Sequence, residues 1–276
     1  MDKLILAKPS ATEVRLIKFF MQIAFRPVFG WKDRETYDIE KYQVTGLDNS
    51  SLSVVLRRAQ TSVPKGVVVL CHPFIKYGMS WFLRSRYQDW LSTSGYHVIA
   101  FDFKGFGRSS LGGISFGDDL STIVGWTQNQ FPGLPIHLFG VSFGGYHAIH
   151  SLARHHLQIT CAIFDSVPMD LRHFFQKGWL GLMMRWFGAS RFGPITGTNP
   201  VLDSLPNIGA LPCLFLYGRK DRYILAEELA RLSALRPAAK LLFFENCGHI
   251  ELKKHQSAVY TETTLSFFDD HSKAEQ

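Results

Sequence analysis

The chain has 276 residues, of which 46% are hydrophobic and 19% are charged, and this composition indicates a folded globular protein and excludes a disordered one. The length suits one large α/β domain with a small insertion. The formal net charge is +7, but the basic residues form no compact stripe and no known recognition motif, so we expect no nucleic-acid partner.

Residues 1–30 predict an N-terminal segment that carries one amphipathic helix over residues 12–26. Its cations, Arg15, Lys18 and Arg26, fall on a narrow stripe opposite a broad apolar arc, and a proline follows at once. Two interpretations stay open. The apolar arc either docks on the chain's own domain or makes peripheral contact with a membrane surface.

The cysteines and the apolar runs together predict a cytoplasmic location. No two cysteines form a C-x-x-C pair, so we expect reduced, buried thiols and no zinc site. No apolar run reaches the roughly 18 residues expected of a membrane-spanning helix, and the N-terminus lacks the plan of a signal peptide. We therefore expect a cytoplasmic protein, either free or in peripheral contact with a membrane.

The pattern after residue 31 predicts an α/β domain that extends to residue 270. Residues 37–46 and 51–59 read as two antiparallel strands around a turn. Continuous apolar runs separated by helical stretches then indicate a mostly parallel sheet with helices on both faces. The predicted strands are 66–72, 96–102, 135–141, 159–165, 212–218 and 240–245, and the predicted helices are 80–93, 117–130, 144–156, 225–235 and 256–268.

This alternation is interrupted at about residues 170–207 by a stretch rich in aromatic residues and methionine. The stretch falls where an insertion would lie over the carboxyl ends of the strands, so we predict a small helical lid. Trp179 and Trp186 are its candidate substrate-binding residues. The alternative is a pair of surface helices that only covers the core.

The pentapeptide Gly140-Val141-Ser142-Phe143-Gly144 has the G-x-S-x-G pattern of a nucleophile elbow. A predicted strand precedes it and a predicted helix follows, which is the context that this turn requires. Asp221 and His249 each follow a later strand, in the order Ser, Asp, His that this architecture uses. The sequence therefore predicts a catalytic triad of Ser142, Asp221 and His249.

Five segments together resemble the α/β-hydrolase superfamily, in particular its serine esterases, lysophospholipases and serine-aminopeptidase-like members. They are HPF at 72–74, FDFKGFGRSS at 101–110, GVSFGG at 140–145, YGRKD at 217–221 and CGHIE at 247–251. The resemblance implies the α/β-hydrolase fold and an oxyanion hole. Its donors would be the backbone N–H groups of Phe143 and Phe74, since Pro73 has no N–H to give.

Several other residues compete for these roles. Asp102 belongs to a glycine-rich turn and is predicted to be structural, whereas Asp165 and the weaker Asp170 remain alternative acids. His72 is predicted to brace the loop after its strand. The remaining histidines near the elbow come too early in the chain to act as the base, and we expect them to pack or to lie on the surface rather than bind metal: His147, His150, His155 and His156.

The function that these features predict is a lipase-like serine hydrolase. It would cleave a carboxylic ester or thioester of a small molecule with a hydrophobic acyl group through an acyl-enzyme, with no cofactor and no metal ion. Two alternatives stay open. One is a serine peptidase or amidase, and the other is a ligand-binding protein of the same fold with little turnover.

Overall fold

The structure is a computed structural model that describes residues 38–75, 77–110, 116–170 and 201–272. The predicted N-terminal helix at 12–26 lies outside these residues. So do Trp179, Trp186 and most of the predicted lid, of which only residues 170 and 201–207 are described.

Within the described ranges, eight strands form one sheet in the order β1-β2-β4-β3-β5-β6-β7-β8. β1 and β2 pair in antiparallel fashion, β2 joins β4 in the same way, and all the remaining pairs are parallel. The strands are β1 Glu40–Thr45, β2 Ser51–Arg57, β3 Gly66–Cys71, β4 Tyr96–Phe101, β5 Ile136–Val141, β6 Cys161–Asp165, β7 Cys213–Gly218 and β8 Lys240–Phe244.

The helices lie on both faces of this sheet, which confirms the predicted fold class. They are α1 Ser80–Arg84, α2 Tyr87–Thr93, α3 Phe116–Gln130, α4 Phe143–Arg154, α5 Val201–Ser204, α6 Ala226–Leu235, α7 Leu252–His255 and α8 Ser257–Ser272, with a 3-10 helix at Leu205–Ile208. α3 to α6 pack on one face, and α1, α2, α7 and α8 pack on the other.

The central strands are buried along their whole length because each face of the sheet carries a helical layer. Alternate residues of β3 enter opposite cores: Val67 and Val69 face the layer of α3 and α4, whereas Val68 and Leu70 face the layer of α2 and α8. The apolar runs in the sequence therefore reflect two cores built on one sheet.

The prediction of a single helix over 80–93 is wrong, since two short helices occupy this stretch. Between α1 and α2, Arg86 adopts a left-handed backbone conformation with φ of 57°, which interrupts the helix. The ring of Tyr87, just after this break, is buried against Phe82 and Phe139. Packing of this aromatic side chain accompanies the break in the helical path.

Among the helices that the structure describes, none is long and apolar enough to cross a bilayer.

Candidate active site

Ser142 lies in the sharp turn between β5 and α4 and has a φ of 49°, a strained value for a residue with a side chain. Its N–H donates to the carbonyl oxygen of Asp165 on the neighbouring strand, at 2.8 Å. Glycine is required two residues later, because a Cβ on Gly144 would lie 2.2 Å from the carbonyl oxygen of Cys71. The turn thus keeps the serine hydroxyl at the carboxyl end of β5.

The loops after β7 and β8 bring Asp221 and His249 to the same edge of the sheet. His249 Nε2 lies 2.9 Å from Ser142 Oγ, and His249 Nδ1 lies 2.7 Å from Asp221 Oδ2. An ionised carboxylate can only accept, so Nδ1 carries the proton and Nε2 is free to accept from the serine hydroxyl. The structure therefore brings together all three side chains of the predicted triad in a proton-transfer geometry.

Tyr223 is a residue of this site that the sequence analysis did not single out. Its backbone N–H donates to Asp221 Oδ1 at 3.0 Å, and its ring meets the His249 imidazole edge-on with centroids 5.0 Å apart. It thus contacts both Asp221 and His249. Its position two residues after Asp221 indicates these contacts only once the conformation of the loop is known.

Phe74 and Phe143, the predicted sources of the oxyanion donors, are adjacent in the structure. Phe143 is the first residue of α4, Phe74 lies in the loop after β3, and their ring centroids are 5.1 Å apart. Both rings also contact Phe106. An aromatic cluster therefore joins the loop after β3 to the start of α4, the helix that follows Ser142.

His72 is fully buried at the base of this loop. Its Nε2 accepts from the Phe103 backbone N–H at 3.1 Å, so Nδ1 bears the proton and donates to the Pro73 carbonyl oxygen at 2.8 Å. Burial lowers the pKa of His72 to about 4, and the bond to Pro73 only partly opposes this effect. The neutral imidazole ties two loops together, as the prediction of a bracing role requires.

The rival carboxylates have partners of their own. Asp102 accepts from the backbone N–H groups of Met79 and Arg108, at 2.8 and 3.0 Å. Asp165 accepts from the hydroxyls of Tyr260 and Ser166, at 2.6 and 2.8 Å. Asp170 is buried at the boundary of a described range. It is Asp221 whose carboxylate receives the His249 N–H.

The histidines on or just after α4 have neighbours of their own. His147 packs against the rings of Phe143 and Phe116, and His150 and His155 bond to Ser204 and Asp118. His156 is exposed. Across the described ranges, no group of three or more His, Cys, Asp and Glu side chains is arranged to hold a metal ion.

The four cysteines are free and buried. Burial raises the pKa of the Cys71 and Cys161 thiols far above their ordinary value and that of Cys213 to about 11. Since the thiolate is the reactive form, these three thiols are unsuited to act as nucleophiles.

A serine–histidine–aspartate cluster at the carboxyl end of an eight-stranded, mostly parallel sheet is the arrangement found in the α/β-hydrolase fold. The family model of the serine aminopeptidases, S33, matches residues 62–194. The chain is similar to this family over those residues, and it has the α/β-hydrolase fold.

Solved structures with the same fold include an esterase from Pyrococcus furiosus, 22% identical, with a TM-score of 0.72 over 90% of this chain and 97% of that one. An α/β hydrolase from Penicillium sp. sh18 is 16% identical, with a TM-score of 0.69 over 86% and 99%. A carboxyl esterase from Bacillus coagulans is 14% identical, with a TM-score of 0.67 over 86% and 100%. No curated protein matches the chain.

Proposed function

We propose that this protein is a serine hydrolase that cleaves a carboxylic ester or thioester through an acyl-enzyme. The observation that carries the proposal is the continuous chain of contacts from Ser142 Oγ to His249 Nε2 at 2.9 Å and from His249 Nδ1 to Asp221 Oδ2 at 2.7 Å. A serine hydroxyl is a weak nucleophile and needs a base within hydrogen-bond reach.

Each member of the triad then has one role. His249 Nε2 takes the proton of Ser142 as Oγ attacks the carbonyl carbon, and returns it to the leaving alkoxide or thiolate. A water molecule, activated by the same imidazole, hydrolyses the acyl-enzyme. Asp221 stays ionised throughout; it fixes the imidazole tautomer and stabilises the imidazolium that forms in each half of the reaction.

The charge on the tetrahedral oxygen requires donors that are already in place. We assign the backbone N–H groups of Phe143 and Phe74 to this role. Phe143 begins a helix of 12 residues, whose N-terminus favours negative charge. Contact between the Phe74 and Phe143 rings keeps the loop after β3 beside that helix end.

The acyl part of the substrate is proposed to be hydrophobic and the substrate itself to be a small molecule. The proposal rests on the aromatic residues of the predicted lid, among them Trp179 and Trp186, which lie outside the described residues. The names of two of the solved structures, both esterases, favour the same bond type.

A fluorophosphonate probe tests the nucleophile directly. We expect covalent labelling of the wild-type protein at Ser142 and none of Ser142→Ala. Ser151→Ala is the matched control: it also removes a buried serine hydroxyl of α4, one that donates to the Gly117 carbonyl oxygen, and it should label like the wild type. Labelling at another serine, or no labelling of folded wild-type protein, would contradict the mechanism.

An aminopeptidase or amidase is the second candidate, because the matching family model describes serine aminopeptidases. The same triad can attack either bond, so the choice depends on turnover. p-Nitrophenyl esters of graded acyl length should be compared with aminoacyl anilides on the same enzyme preparation. We expect the esters to be the better substrates; faster cleavage of an anilide would favour the second candidate. A protein that the fluorophosphonate labels but that hydrolyses neither the esters nor the anilides would favour a binding role.

A further inference from the structure

Asp165 and Ser166, at the end of β6, contact both the turn at Ser142 and the loop that carries His249. The Asp165 carbonyl oxygen accepts the N–H of Ser142 at 2.8 Å. On the other side, Ser166 Oγ accepts the N–H of Ile250, the residue that follows His249, at 3.1 Å. Two consecutive residues thus contact the backbone of Ser142 and the backbone of the loop 245–251, which carries His249 and is called the histidine loop below.

The histidine loop needs such a contact because its backbone is strained. Ile250 has a φ of 53°, a left-handed conformation that is a genuine outlier for a β-branched side chain. Strain of this kind persists only where the surrounding structure fixes it. The Ile250 side chain packs on the core, and the hydrogen bond from the Ile250 N–H to Ser166 Oγ holds its backbone.

Ser166 is itself oriented by a buried network. Its φ is 54°, and its hydroxyl donates to Asp165 Oδ1 at 2.8 Å, which leaves the oxygen lone pairs to accept from Ile250. Asp165 Oδ2 accepts from the Tyr260 hydroxyl at 2.6 Å, and the hydroxyls of Tyr260 and Tyr87 are 2.9 Å apart. The carboxylate is therefore tied to α8 and, through Tyr260, to α2.

We infer that Asp165 and Ser166 are positioning residues for His249: the Asp165 carboxylate orients the Ser166 hydroxyl, which fixes the Ile250 backbone and thereby the imidazole opposite Ser142. The inference rests on the proposed function. It gives the carboxyl group at the end of β6 a role that does not require contact with the imidazole.

The test compares Ser166→Ala with the matched control Ser151→Ala. Fluorophosphonate titration counts the active sites, and kcat and KM for a p-nitrophenyl ester are then expressed per labelled site. We expect Ser166→Ala to lower kcat per site about 10- to 100-fold, because a displaced imidazole weakens the transition state. KM should change less than about threefold, since substrate binding is untouched. Ser151→Ala should leave both constants unchanged.

Ser166→Gly provides the same test if the alanine variant does not fold, because glycine adopts a φ of 54° without strain and also lacks the hydroxyl. A purely structural role for Ser166 would lower thermal stability and the labelled fraction but leave kcat per labelled site at the wild-type value. That outcome would overturn the inference.

Asp165 is tested by rescue with the conservative variant. Asp165→Asn keeps an acceptor for Ser166 and a polar partner for Tyr260, so it should retain most of kcat per site, whereas Asp165→Ala should lose about tenfold or more. Equal activity of the two variants and the wild type would overturn this inference but would leave the proposed function unaffected. Wild-type protein that is not labelled at Ser142 would overturn the proposed function, and the inference with it.

Discussion

The carboxyl group of Asp165 lies fully inside the protein, and burial raises its pKa to about 6 from an ordinary value of 3.8, although the hydroxyls of Tyr260 and Ser166 partly oppose the effect. A raised pKa means that the folded state binds the proton more tightly than the unfolded state. The stability from this group is present below about pH 4 and is lost as the pH rises through about 6.

Replacement of Asp165 by Asn should therefore stabilise the folded protein more at neutral pH than at acidic pH. The ionised form costs on the order of 2–3 kcal/mol at neutral pH, and the amide avoids this cost. We expect the melting temperature of Asp165→Asn, relative to wild type, to be higher at about pH 7.5 than at about pH 4. Thermal unfolding followed by circular dichroism measures the difference.

The matched control for this measurement is Asp270→Asn, which neutralises an exposed carboxyl group on α8. It should show no comparable trend with pH. A difference between Asp165→Asn and wild type that stays constant between the two pH values would show that Asp165 does not titrate in this range.

At the scale of single residues, the sequence predicted the placement of Ser142, Asp221 and His249 because each follows a parallel strand, and parallel strands end at one edge of a sheet. Tyr223 and Ser166 could not be predicted in the same way. Their contacts with the histidine loop depend on loop geometry and on left-handed backbone at Ser166 and Ile250, neither of which leaves a periodic pattern in the sequence.

At the scale of elements, the central strands were predictable because continuous apolar runs report burial on both faces. The break between α1 and α2 was not, since it depends on the left-handed conformation of Arg86 and on the packing of Tyr87 against Phe139. Local propensity favours one helix here, and tertiary contacts override it.

The junction between β5 and α4 gives a prediction at this scale. A Cβ on Gly144 would lie 2.2 Å from the Cys71 carbonyl oxygen, which is backbone and cannot rotate away. We expect Gly144→Ala to lower the melting temperature and the fraction labelled by a fluorophosphonate, because either α4 or β3 must shift. Overpacking of this kind typically costs about 1–3 kcal/mol.

Gly125→Ala is the matched control, because Gly125 lies within α3 and a Cβ there would meet no atom within 4 Å. It should leave labelling unchanged and raise stability by about 0.5–1 kcal/mol, the helix-propensity difference between the two residues. If Gly144→Ala were as stable and as reactive as Gly125→Ala, the turn after Ser142 would not require glycine at position 144.

At the scale of the whole molecule, three loops that follow β5, β7 and β8 supply the proposed triad, and the loop after β3 supplies the second proposed oxyanion donor. The two cores that flank the sheet fix the strands and so fix the starting point of each loop. The site therefore depends on the sheet as a unit.

The N-terminal segment, outside the described residues, gives the last prediction. An amphipathic helix over residues 12–26 would expose its broad apolar arc unless it docks on the domain or on a membrane, and most such helices dock on their own protein. We expect deletion of residues 1–27 to lower the melting temperature and to leave sedimentation with anionic vesicles unchanged. The reverse result, an equally stable truncated protein that no longer sediments with vesicles, would establish the membrane contact, to which each cation near an anionic surface contributes about 1 kcal/mol.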